Sequence, residues 1–245
     1  MKRSIVFIYG VLAYLTFLIA FIYAIGFVGD IIVPKSIGSG TEISFLPSLL
    51  INALLLSVFA IQHSVMARPA FKRWFTRFID PAIERSTYVL LSSLSLLLIY
   101  WQWRPITTVV WKAGNETTAM ILTGLFFFGW LVVLLSTFMI NHFELFGLKQ
   151  IFDNLKNKQT QRPKFQTKFL YKIVRHPIML GFIIAFWATP LMTIGHLIFS
   201  IITTLYILIA IKYLEEKDLR KSIGKDYEDY QNKVPMIVPF TKSRK

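Results

Sequence analysis

Residues 178–213 read IMLGFIIAFWATPLMTIGHLIFSIITTLYILIAIKY, with a single charge, Lys212, near the end. A helix crosses the hydrocarbon layer with about 20 apolar residues. This run is too long for one crossing, and Pro190, Gly195 and His196 punctuate its middle, where a turn would fall. It reads as two tightly linked helices. Four apolar runs precede it, at 5–28, 45–65, 88–103 and 119–140, the second broken by Asn52 and Gln62. The expectation is an all-α polytopic membrane protein with about six spanning helices. The third run and each half of the hairpin are short, so five is the other count.

Composition agrees. Of 245 residues, 55% are hydrophobic and 16% charged, where soluble chains carry about 25% charged. Aromatic residues at 16% exclude disorder. There is no cysteine, which excludes disulfides, thiolate-bound metals and a cysteine nucleophile. The first run follows Lys2 and Arg3 but has no small-residue cleavage site after a short core, so it reads as a retained helix. With six spans, every Lys and Arg except Lys35, Arg104 and Lys112 falls on one side. That bias assigns both termini to the cytoplasm. The net charge of +14 points to anionic lipid headgroups and not to nucleic acid.

Three regions are expected. Residues 1–152 form an N-terminal four-helix region on the acceptor side. Residues 153–168 are a polar cytoplasmic loop containing Arg162–Pro163. Residues 169–245 hold the hairpin and an amphipathic tail over 215–230, interrupted at Gly224. An extended stretch at 234–240 follows, since Pro235 and Pro239 each disfavour helix before them.

Ionisable groups at the ends of membrane helices are the candidates for chemistry. Arg175-His176-Pro177 precedes Gly181 by one turn; Pro177 suits a first helical turn, and Gly181 admits a ligand or a second backbone. Glu215 and Glu216 leave the last span, beside Lys217, Asp218 and Arg220. Paired carboxylates there hold a cation or accept from hydroxyls; an ordinary solvated face with a Glu216–Arg220 pair is the plainer reading. Tyr227 and Tyr230 share a helical face, fit to wall a pocket or to form an interfacial belt. Gln62-His63, Glu84-Arg85 and Asn141-His142 stand at the ends of other spans. All six clusters fall at cytoplasmic ends. His63, His142 and His176 lack the spacing of a helical metal pair, so no metal is assigned.

Taken in order, Arg-His-Pro-x-x-x-Gly, the hairpin, Glu-Glu, Gly-x-x-Tyr-x-x-Tyr and Val-Pro-x-x-x-Pro resemble the C-terminal half of the membrane methyltransferases. That group includes isoprenylcysteine carboxyl and phospholipid N-methyltransferases. The resemblance covers about residues 169–240. It implies S-adenosylmethionine as donor, held by Arg175, His176, Gly181, Glu215, Glu216, Tyr227 and Tyr230. Gln62-His63-Ser64-Val65-Met66-Ala67-Arg68, Glu84-Arg85-Ser86-Thr87-Tyr88, Trp101-Gln102-Trp103-Arg104-Pro105 and Asn141-His142-Phe143-Glu144-Leu145-Phe146-Gly147-Leu148 resemble the methanethiol S-methyltransferase branch, related to NnrU-like proteins. Met179 departs from the tyrosine that many relatives carry there.

What the resemblance implies is methylation of methanethiol to dimethyl sulfide at a bacterial inner membrane. Gln62, His63, Glu84, Arg85, Asn141 and His142 are then the acceptor-side residues. The thiolate is the nucleophile, so His176, His63 and His142 are candidate bases and Arg85 a candidate anion stabiliser. Other readings are a methyltransferase for a larger thiol, prenylcysteine or lipid, an NADPH-dependent sterol-type reductase, and a non-enzymatic membrane factor.

Overall fold

The structure, a computed structural model, describes residues 2–158 and 165–241. The Arg162–Pro163 step expected in the polar loop lies outside them. The chain forms two compact units, residues 1–107 with 142–162, and residues 108–141 with 163–245.

The first unit carries α1 (Arg3–Gly29), α2 (Phe45–Ala67), a short α3 (Pro69–Phe75), α4 (Pro81–Gln102), α6 (His142–Leu145) and α7 (Leu148–Leu155). α1 ends where Asp30 turns left-handed and its N–H bonds to Gly26. α2 stops at Arg68, held extended by the proline after it. α4 begins seven residues before its apolar run, because Asp80 accepts from the Ala82 N–H at 2.9 Å and Pro81 fits the first turn. Glu84–Thr87 are therefore helical. Asn52, the polar break in α2, is fully buried and satisfied: its amide donates to Arg104 O at 2.7 Å and accepts from Arg104 N at 2.9 Å. α1 packs on α4 and α7 around Gly10, where a Cβ would meet Ile151 Cδ1 at 2.5 Å.

The second unit holds strand β1 (Val109–Lys112), α5 (Glu116–Ile140), α8 (Pro177–Trp187), strand β2 (Leu191–Thr193), α9 (Ile194–Ile209), a wide π turn (Ala210–Glu215), α10 (Glu216–Ile223) and α11 (Lys225–Lys233). α5, expected with the N-terminal region, packs here against α8. β1 and β2 pair antiparallel, so the far ends of α5 and α8 meet at one edge. The hairpin bends at Pro190 as expected, and Thr193 then caps α9 by accepting from the His196 N–H at 3.3 Å.

Among the described residues, five helices are long and apolar enough to cross a membrane: α1, α2, α4, α5 and the continuous segment Ile194–Ile223. α8 is apolar but only 11 residues, about 16 Å of helix. The protein is thus an all-α, multi-pass membrane protein, with a short sixth apolar helix returning along α5.

Gly181 does admit a second backbone, and that backbone is α5. A Cβ on Gly181 would lie 2.6 Å from Gly129 O and 2.9 Å from Val133 N. This packing requires a glycine here. Backbone cannot yield as a side-chain tip can, so Gly181→Ala should destabilise by about 1–3 kcal/mol. Gly124→Ala has open space around its Cβ and should be neutral or slightly stabilising. Thermal unfolding of the two solubilised variants checks the contrast.

After α11 the chain turns back. The N–H groups of Arg175 and His176 donate to Pro235 O and Met236 O at 2.9 and 3.1 Å. Ile237 is buried against Ile207 and Ile211, with Met179, Leu180, Phe182 and Ile183 around them. Met179 thus serves as packing.

Candidate functional site

In the second unit, Arg175 and His176 precede α8, and Glu215 and Glu216 stand where the π turn becomes α10. The Arg175 Nε donates to Glu216 Oε1 at 2.6 Å, and a terminal nitrogen lies 2.6 Å from the same oxygen. The other terminal nitrogen donates to Gln231 O at 3.1 Å and Val234 O at 2.5 Å. Glu216 Oε2 accepts from the Gln231 amide at 2.9 Å. His176 Nε2 is 3.2 Å from Glu216 Oε1, and its Nδ1 is 3.6 Å from Glu215 Oε1. Arg175, His176 and Glu216 are buried, each under a tenth exposed.

Buried charges persist only when paired and hydrogen-bonded. Here Arg175 and Glu216 spend their groups on each other and on the tail. Glu216 is the keystone of the cluster, while Glu215, with a side chain 44% exposed, keeps a carboxylate facing outward. The two acids look alike in sequence and differ in the fold.

Burial alone would lower the His176 pKa, but hydrogen bonds and charge from Glu215 and then Glu216 overcome it and raise it to about 9. At neutral pH the ring is an imidazolium. A group whose folded pKa exceeds its unfolded value stabilises fully below the unfolded value, near 6.5, and loses that contribution as pH rises through about 9. Thermal unfolding should therefore show Tm falling by about 5 °C between pH 7 and pH 10, and His176→Asn should flatten that limb.

Tyr227 and Tyr230 stand beside the ion pair, their phenols kept protonated mainly by burial. Tyr230 donates to Tyr171 O at 2.5 Å. The Tyr227 hydroxyl is fully buried and has no hydrogen-bond partner among the described residues. Phe165 completes a ring cluster, its centroid 6.0 Å from Tyr227 and 5.5 Å from Tyr230.

In the first unit, the Tyr88 hydroxyl is 2.9 Å from His63 Nε2. Ser92 Oγ is 3.3 Å from His63 Nδ1 and donates to Gln62 Oε1 at 3.2 Å. Phe59 stacks on His63. Arg85 donates to Leu145 O at 2.6 Å and lies 5.0 Å over the Tyr88 ring. Glu84 is half-buried on the first turn of α4. His142 is buried, with Nε2 2.8 Å from the Tyr14 hydroxyl and Phe17 and Phe146 close by. Burial lowers its pKa, so the ring is neutral.

Sequence reasoning thus named one set in each unit. Asn141 and His142 stand at the junction of two helices: Asn141 caps the end of α5 and His142 opens α6. Among the described residues no group of three His, Asp or Glu side chains is placed to hold a metal. Gln231, Tyr171, Tyr14 and Ser92 were missed. Tyr14 and Ser92 carried a signal, a polar group inside an apolar run.

A membrane-embedded helical fold with a buried, fully paired cationic and acidic cluster defines a polytopic membrane protein built around a polar site. The family model described as NnrU protein matches residues 50–236. Methanethiol S-methyltransferase 1 of Bradyrhizobium diazoefficiens is 52% identical, over 98% of this chain and 84% of its own. Methanethiol S-methyltransferase of Mycobacterium tuberculosis is 53% identical, over 98% of each chain. Nurim of Mus musculus is more distant, 31% identical over 72% of this chain and 70% of its own. No solved structure matches. The chain belongs to the NnrU family, alongside the methanethiol S-methyltransferases.

Proposed function

We propose that this protein methylates methanethiol to dimethyl sulfide, with S-adenosylmethionine as donor, in the inner membrane of a bacterium with both termini cytoplasmic. The observation that carries the reading is identity of about half, over nearly the whole chain, to proteins named for that reaction.

The second unit's residues fit the donor's chemistry. It offers an ammonium, a ribose diol and an aromatic base. Glu215 supplies an outward carboxylate for the ammonium or the diol. The Tyr227 hydroxyl is buried and takes no partner among the described residues, which leaves it able to bond the donor. Phe165 and Tyr230 supply ring faces. Arg175 and Glu216, already spent on each other, position His176 and the returning tail.

When bound, the donor would supply an electrophilic methyl group for the thiolate sulfur, with S-adenosylhomocysteine as the leaving group. The thiol must lose its proton first. His176, cationic between two acids, has no lone pair to accept it. His142, neutral and bonded to Tyr14, does, and we assign it as the base. Arg85, engaged by Leu145 O and the Tyr88 ring, positions the first unit's cluster. Without a cysteine, transfer is direct.

Headspace measurement of dimethyl sulfide from cells expressing the chain and fed methanethiol tests the reading, with prenylcysteine as the competing acceptor. Labelled S-adenosylmethionine should bind the purified protein and NADPH should not. Absence of both dimethyl sulfide and donor binding would overturn it.

A further inference from the structure

α3 and its flanks form the most basic aromatic surface of the first unit. The stretch Arg68-Pro-Ala-Phe-Lys-Arg-Trp-Phe-Thr-Arg-Phe78 contains four cations, four aromatic rings and no acid. It joins α2 and α4, two helices long and apolar enough to cross the bilayer, so it runs at the bilayer's edge. Its sides differ. Phe71 and Phe75, one turn apart, pack on Met66, Tyr88 and Val89. Trp74 and Phe78 are 51% and 71% exposed, in edge contact with each other, and Arg73 and Arg77 are exposed beside them.

Water is a poor neighbour for an exposed tryptophan and phenylalanine, and the headgroup layer is a good one. Arginines among those rings match a phosphate that carries net charge, and each cation near an anionic leaflet improves binding about five-fold. We propose that α3 is a docking surface for anionic glycerophospholipids, and that a bound headgroup seats Phe71 and Phe75 against Met66 and Tyr88. Tyr88 is the residue that bonds His63, so the lipid steadies that side of the protein. The activity readout below rests on the proposed function; the binding readout does not.

The full chain is placed in nanodiscs of phosphatidylcholine alone or mixed with phosphatidylglycerol. Trp74 fluorescence is isolated as the difference between wild type and Trp74→Phe. Brominated phosphatidylglycerol should quench it at least about two-fold more than brominated phosphatidylcholine at equal mole fraction, and Arg73→Gln/Arg77→Gln should erase that preference. Equal quenching by the two lipids, or a preference that survives the double substitution, overturns the docking surface. Dimethyl sulfide formation should rise about five-fold with phosphatidylglycerol at low salt and lose that gain at high salt. The double variant should match wild type in phosphatidylcholine alone and gain nothing from the anionic lipid. A lipid preference in quenching with a flat rate overturns the seating of Tyr88. Loss of dimethyl sulfide in every disc, with the quenching preference intact, counts against the proposed function and leaves the docking surface standing.

Discussion

Glu216→Gln should cost the protein both its stability and its activity. The substitution is nearly isosteric, so shape is kept and charge is lost. It leaves a guanidinium under a tenth exposed without its counterion and sets an amide NH2 group against donors from Arg175, His176 or Gln231. Removing one partner of a buried pair costs about 3–5 kcal/mol. His176 also loses its closest acid, so its pKa should fall towards the ordinary value near 6.5. Dimethyl sulfide production, compared at matched membrane abundance, should drop at least about 100-fold, the scale of a misplaced catalytic constellation. Glu215→Gln is the informative partner. Its carboxylate is half out in solvent, so thermal stability should hold while the KM for S-adenosylmethionine rises. Wild-type stability and rate in Glu216→Gln would sink this account of the cluster.

His142→Gln should slow the reaction by about 100-fold or more at pH 7, the usual worth of a positioned general base. The loss should shrink as pH rises, because free thiolate then becomes abundant without help. Wild-type rates should change much less over the same range. A variant whose deficit is constant with pH would show that His142 shapes the site and does not take the proton. Tyr14→Phe, which removes the hydroxyl at His142 Nε2, should shift the pH profile with a smaller fall in rate.

Much of the fold was legible because the bilayer demands long apolar runs, and charge marks where they end. The start of α4 was not read: the apolar run begins at 88 because Glu84 and Arg85 dilute the first turns, although Asp80-Pro81 marks the true start. Nor was the membership of α5. Gly129 and Gly181 meet, yet each sits in an unbroken apolar stretch with no charge to announce a partner. For the candidate site, Arg175, His176 and Glu216 were readable as ionisable groups at helix ends. The division of labour between Glu215 and Glu216 was not, because it depends on which oxygen Gln231 reaches after the chain has turned at Gly224 and come back. His176 shows the same limit. Its identity suggested a base, while two neighbouring acids, adjacent in space and 39 and 40 positions away in sequence, favour its protonated form.

The wide turn Ala210–Glu215 carries one consequence for how the gene can vary. Such a turn holds an extra residue relative to regular α-helix, so deleting a single codon within it would let the helix relax to ordinary winding. Five residues of regular helix sweep nearly the same angle as six in the wide turn, so everything downstream would keep its facing and Glu216 would still point at Arg175. A deletion one or two turns earlier, in the regular winding of α9, has no such slack and would turn Glu216 about a quarter of a revolution away from Arg175.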